Sequence, residues 1–368
     1  MHSNPATGPS RAATVRLRRQ MVNQALQILD GWGYDEADVP LLSPYEKLRG
    51  AVGNDVDREL FRFVDRSGEL LYLRGDITPT LAWKASQGLD AARLPLRLSY
   101  ANRVARVQRD FAREELESFA VGFELVGVEG RVADLEVLTI AIDLLESLGV
   151  ADYDIQLGHV RLAGGLIDAH LSSRALRDDM QQAMVRRDAW RVGRICEQGG
   201  IDADVRRTLE TLCRMNPGVP ELEALTRNRV VETAQAAGHL KSLLHDLSVL
   251  DVADRVRLDL SAVGERSYYT GIQFRISADS WGTVLGSGGR YDDLYGHFGA
   301  AQPAVGFGLR MDHVVRLMSR QAQPPTAPMI DIMPSDESPA TDLNFARQAR
   351  RAGERVTLRY RNTERENG

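Results

Sequence analysis

A few short stretches gather side chains that could do chemistry. "YLRGDITPTLAW", residues 72–83, sets Arg74 and Asp76 beside a helix-like run that carries Thr78. "NRVAR" offers Arg103 and Arg106, and "FELVG" soon after it offers Glu124. "SYYTGIQF" brings the paired phenols Tyr268 and Tyr269, and "GSGGRYDDL" follows with Arg290 and Asp292. Arginine suits phosphate or carboxylate because its planar, permanently charged fork matches those oxygens. Arg103, Arg106 and Arg290 read equally as anion ligands and as partners of acidic neighbours. The glycine run is not a Walker loop, since no Lys-Ser/Thr follows it, and it lacks the dinucleotide Gly-x-Gly-x-x-Gly spacing. By itself it reads as a glycine-rich turn between strands, residues 286–290, with Arg290 and Asp292 as local hydrogen-bonding groups.

Other chemistries drop out. Cys196 and Cys213 form no Cys-x-x-Cys pair, and the seven histidines show neither HExxH nor HxxxH spacing. No metal site or disulfide scaffold is expected, and both thiols read as buried or incidental in a reducing cytosol. The 368 residues, 43% hydrophobic and 26% charged, suffice for two domains and a sizeable core. A net charge of −5 argues against a dominant phosphate-binding surface. "MHSNPATGPSRAATVRLRRQ" has basic residues but no apolar h-region, so it does not read as a signal peptide. No run approaches the ~20 apolar residues of a membrane span. A cytoplasmic protein without membrane contact is the expectation.

The elements that must position these residues follow from periodicity. Residues 1–12 read as a flexible terminus. A helix begins near Val15, with Met21, Val22, Ala25, Leu26 and Leu29 near one face, and stops at Gly31 and Gly33. "YDEADVPLLSP" reads as a strand, and "LFRFVDRSGELLYLR" as a hairpin turning at Ser67-Gly68. "PLRLSYANRVARV" and "ESFAVGFELVGVEG" are further strands, and "DITPTLAWKASQGL" is a helix with Asp76 or Thr78 near its start. "VADLEVLTIAIDLLESLGV" is an amphipathic helix, "YDIQLGHV" a strand, and residues 161–250 are almost wholly helical. Strands return from "VRLDL" to "AVGFGLR". This order predicts an α+β fold, a mostly antiparallel sheet flanked by helices, rather than a doubly wound parallel sheet. A linker, 321–328, leads to a short β-α-β tail, 329–368, whose seven arginines and seven carboxylates from Asp331 onward make no nucleic-acid arm.

In their order, "GYDEADVPLL", "LRGDITPTLA", "RVARV…FELVG", "SYYTGIQF", "GSGGRYDDL" and "PAVGFGLRMD" resemble histidyl-tRNA synthetase, a class II aminoacyl-tRNA synthetase, over roughly residues 12–320. The resemblance implies the class II fold over a core of residues 13–320, with 161–250 as a mostly helical insertion. It implies a dimer formed through residues 33–42, and it makes 329–368 a truncated remnant of the anticodon-binding domain. It also implies a histidine pocket. Asp76 stands where the family has a glutamate at the α-amino group, Glu124 and Tyr269 match the residues expected at the imidazole, and Thr78, Tyr268 and Arg103 lie around them.

The catalytic groups of the family are missing in the same alignment. Ala105 holds the glutamate position of the second motif, between the surviving Arg103 and Arg106. His313 stands where an arginine stacks on ATP, Gly264 where the histidine-specific catalytic arginine precedes the paired tyrosines, and Ser267 at the aspartate. Arg266 is out of that register, and Ala120 replaces a glutamine that helps grip the amino acid. One lost charge-stabilising group costs about 3 kcal/mol of transition-state stabilisation, so several lost together make adenylate formation negligible. With only 40 residues after the linker, specific tRNA binding is not expected.

A synthetase-like body without its reagents resembles the regulatory subunits of ATP phosphoribosyltransferase. "LRGDITP", with aspartate rather than glutamate, and "SYYTGIQF" fit them better than they fit the synthetase. That resemblance implies no catalysis and no cofactor. It implies a hetero-oligomer with the short ATP phosphoribosyltransferase catalytic subunit in the first step of histidine biosynthesis. Feedback by histidine is implied too, with the effector held either in this pocket or at the subunit interface. The alternatives are a minimal histidine–tRNA ligase, another ATP-dependent histidine-activating ligase, or a free-standing amino-acid sensor.

Overall fold

The computed structural model describes residues 11–53, 57–89, 93–107, 116–213, 218–264, 266–278, 282–321, 329–332 and 339–358. Two compact units separate, one of residues 14–318 and the other of residues 1–13 with 319–368. Helix α1 (Arg11–Gly31) already includes Arg11 and Ala12, which the sequence places in a flexible terminus. Residues 1–10 lie outside the described residues.

The larger unit is built on one sheet. Its strands are β1 (Asp35–Glu36), β5 (Leu96–Ala105), β6 (Glu117–Val126), β7 (Asp154–His159), β8 (Val256–Asp259), β9 (Ile272–Ala278), β10 (Thr283–Arg290) and β11 (Ala304–Arg310). They lie in the order β1-β5-β6-β11-β10-β9-β7-β8. The inner pairs are antiparallel, and only the edge pairs β1/β5 and β7/β8 run parallel. A smaller sheet, β2 (Leu42–Pro44), β3 (Arg62–Val64) and β4 (Leu70–Leu73), carries the hairpin at Ser67-Gly68. Asp65 accepts the Ser67 and Glu69 amides there, and Gly68 takes φ +87°.

Helices α2 (Tyr45–Leu48) and α3 (Ile77–Ser86) flank the small sheet. Helix α4 (Arg131–Ser147) buries Val137, Leu138, Ile140, Ala141, Leu144 and Leu145, spaced by three and four, into the main core with Phe123 of β6 and Phe307 of β11. After β7 come α5 (Arg161–His170), α6 (Arg174–Val185), α7 (Ala189–Gln198), α8 (Ala203–Cys213), α9 (Val219–Leu225) and α10 (Val231–Val249). Cys196 and Cys213 are buried among them, and burial pushes the Cys196 thiol up to about 11. Helix α11 (Met311–Gln321) follows β11. In the second unit β12 (Met329–Ile332) pairs in parallel with β13 (Arg355–Leu358), with α12 (Pro339–Arg351) between them in sequence. Apart from Gln321, the expected linker lies outside the described residues.

Two expectations are corrected. "YDEADVPLLSP" is not one strand but β1 and β2 with a non-strand segment between them. Pro40 has no N–H to offer a ladder, and the Val39 carbonyl is taken by the Arg74 side chain. The glycine run 286–290 is not a turn but the C-terminal part of β10, with Gly286, Ser287, Gly288 and Gly289 paired on both sides. Among the described residues no helix is long and apolar enough to cross a membrane.

Candidate functional site

Three elements converge on one cavity: the start of α3, one face of strands β5, β6, β10 and β11, and residues 266–269 ahead of β9. Asp76 occupies the N-cap position of α3 with extended backbone, yet its carboxylate makes no cap bond. An aspartate there ordinarily accepts an amide of the first turn, a bond worth about 1 kcal/mol. The Asp76 carboxylate instead accepts the Tyr268 hydroxyl at 2.9 Å and lies 3.7 Å from Arg266 Nε. Glu124, only 2% exposed on β6, accepts Thr78 Oγ1 at 2.6 Å and the Tyr291 hydroxyl. Burial drives this carboxyl up to about 8; the two hydrogen bonds oppose the shift and the neighbouring Asp76 charge adds to it. Glu124 is therefore largely protonated at neutral pH, and an arriving cation would favour its ionised form. Tyr268 and Tyr269 meet edge to face at 5.2 Å, and Tyr268 meets Tyr291 at 5.8 Å.

Glycines make close packing possible on both faces of the sheet. Gly306 pairs with Glu124 across β11 and β6, and a Cβ on it would overlap the Glu124 carboxylate. On β10, a Cβ at Gly286 would strike the Phe307 ring, at Gly288 the Phe274 ring, and at Gly289 the Tyr269 ring 2.8 Å away. The run is glycine-rich because aromatic rings press on both faces of the strand, not because the chain turns.

Asp76, Thr78, Tyr268 and Tyr269 line the cavity, and Glu124 reaches it through Thr78. Arg103 does not. Its side chain, half exposed, pairs with Glu117 at 3.4 Å across the β5/β6 ladder. Arg74 is structural: its Nε and Nη2 donate to the Arg103 carbonyl at 3.0 and 2.8 Å, and Nη1 to Val39 O. Arg290 is spent as well, on Asp134 (2.8 Å), Asp292 (3.0 Å) and the Val128 and Gly130 carbonyls. The arginines that line the cavity are Arg106, Arg266 and Arg310. Arg266 is off the register of the family's catalytic arginine, and residues 266–269 close a turn, Tyr269 N–H to Arg266 O at 3.1 Å, with its side chain at the cavity. It lies 3.1 Å from Glu59 on its other side. Burial works against its charge, and the Asp76 and Glu59 carboxylates outweigh that.

The positions aligned with the ATP-handling groups of the synthetase carry other chemistry. Gly264 sits at φ +98°, a conformation an arginine rarely adopts. The Ala105 amide serves the Arg74 carbonyl at 2.9 Å. His313 is tied through Nδ1 to Val284 O at 3.0 Å, and Ser267 accepts the Gly53 amide at 2.8 Å. Residues 108–115 lie outside the described residues. Among the described residues no cluster of His, Cys, Asp or Glu could hold a metal. A larger cavity, about 520 Å³, opens at one end of the sheet. Its buried charges are paired internally, Asp134 between Arg290 and His239.

A family model described as histidyl-tRNA synthetase matches residues 9–314. The chain is 31% identical to the ATP phosphoribosyltransferase regulatory subunit of Bacillus pumilus, over 93% of this chain and 87% of that one. It is 30% identical to the subunit of the same name from Bacillus subtilis, over 93% and 86%. A crystal structure described as an ATP phosphoribosyltransferase regulatory subunit/histidyl-tRNA synthetase from Bacillus halodurans superposes with TM-score 0.83 at 26% identity, covering 98% of this chain and 93% of that one. Histidyl-tRNA synthetase from Nostoc shares the fold at TM-score 0.75 and 18% identity, over 97% and 86%. The class II synthetase scaffold, the retained carboxylates and these likenesses lead to one assignment: the chain belongs to the histidyl-tRNA synthetase family and, within it, to the ATP phosphoribosyltransferase regulatory subunits.

Proposed function

We propose that this chain is a non-catalytic subunit that assembles with the short ATP phosphoribosyltransferase catalytic subunit and relays histidine to it through the Asp76–Glu124 pocket. One observation carries the reading. The carboxylates suited to an amine and an imidazole persist in a built pocket, while the positions aligned with ATP-handling groups hold Gly264, Ala105 and His313. A binding site is kept and an activating site is not. Feedback then requires that histidine bind two states of the assembly with different affinity. The names of the Bacillus relatives support the choice of partner. Self-association through residues 33–42 fits β1 as an edge strand with Leu41 and Leu42 exposed beside it. Histidine-dependent pyrophosphate exchange tests the ligase alternative: the reading expects none, and robust exchange would replace it with an enzyme.

A further inference from the structure

We infer that Arg266 is a resident cation that a ligand must displace from Asp76, and that it sets the ligand class. The pocket takes amino acids carrying both an ammonium and a carboxylate, and refuses bare amines. This rests on the pocket reading above.

The cavity is small, about 80 Å³, against ~300–1,000 Å³ for ordinary ligand clefts. A ligand must therefore move something, and Arg266 stands where an ammonium would go. Its side chain is 16% exposed and lies between two carboxylates, 3.7 Å from Asp76 and 3.1 Å from Glu59. The Asp76 contact is the looser one, so Asp76 releases first and Glu59 keeps the guanidinium. Asp76 then takes an ammonium with the Tyr268 hydroxyl still on its Oδ2. The guanidinium, held by Glu59, is left beside the ligand and matches a carboxylate bidentately. A bare amine would displace the same cation and leave it without that partner.

Arg106 and Arg310 line the same cavity, and Arg106 Nε lies 3.9 Å from Glu59.

The test is calorimetric titration of the full chain with histidine and with histamine, which lacks the carboxylate. Wild type, Arg266→Met and Asp76→Ala are compared, with thermal melts to confirm folding. Wild type is expected to prefer histidine by at least about tenfold, 1.4 kcal/mol. Arg266→Met should shrink that preference to a few-fold, chiefly by admitting histamine. Glu59→Gln, which keeps Arg266 but frees it from its anchor, should also reduce the preference; it serves as the second variant if Arg266→Met folds poorly. An unchanged preference in both variants, with Asp76→Ala weakening histidine binding at least about tenfold, overturns the role of Arg266 and leaves the pocket reading standing. Histidine binding as tight in Asp76→Ala as in wild type, or no binding by wild type and Arg266→Met alike, overturns both.

Discussion

Glu124 is a carboxyl held where water does not reach, between Thr78 and Tyr291. In the unfolded chain it titrates near its ordinary value of 4.5, and in the folded protein at about 8. Between those values the unfolded state gives up a proton that the folded state keeps, so stability falls as pH rises, by at most about 1.4 kcal/mol per pH unit. Below the lower value both states are protonated and the penalty vanishes. Glu124→Gln removes the titration. Its urea midpoint relative to wild type should therefore rise steadily from pH 5 to pH 8, and a constant difference would show that Glu124 is not buried as described. Asp76→Ala deletes the carboxylate that Tyr268 and Arg266 share. It should weaken histidine binding by about 10–100-fold, the range for a charge-assisted bond, and calorimetry reads this directly. That Asp76, Thr78, Glu124, Tyr268 and Tyr269 come together was legible because motif and register together name them. Arg103 and Arg266 were not, because a strand face and a four-residue turn decide where an arginine points, and neither shows in spacing.

At the scale of elements, the sheet face depends on missing side chains. Gly306→Ala would press a methyl into the Glu124 carboxylate on the paired strand. Overpacking of this kind costs about 1–3 kcal/mol, so the variant should unfold at lower urea and lose histidine binding. An unaltered midpoint would mean that β6 and β11 are farther apart than described. Gly264→Arg restores the family's residue but at φ +98°. It should destabilise by about 1–2 kcal/mol and give no pyrophosphate exchange. Strands with alternating apolar residues, the Ser67-Gly68 hairpin and α3 could be read from periodicity and turn chemistry. The β10 glycines misled because glycine marks both a turn and a strand under aromatic rings, and only the partner strands decide which. "YDEADVPLLSP" misled because its bridging carbonyl is satisfied from 35 residues away by Arg74, a pairing that no local pattern carries.

At the scale of the molecule, the antiparallel order of the inner strands was legible from a run of hairpin-like strands broken by helices, and the scaffold explains why. A class II synthetase sheet positions an amino-acid pocket whether or not ATP is handled beside it. The proposed function makes this chain a binding subunit that acts through another subunit. The measurement that tests this most directly is phosphoribosyl-ATP formation by a short ATP phosphoribosyltransferase subunit from the same organism, with and without this chain, across a histidine titration. The account predicts strong activity only when both chains are present, falling as histidine rises, with that fall blunted by Asp76→Ala. Transferase activity indifferent to this chain would contradict it.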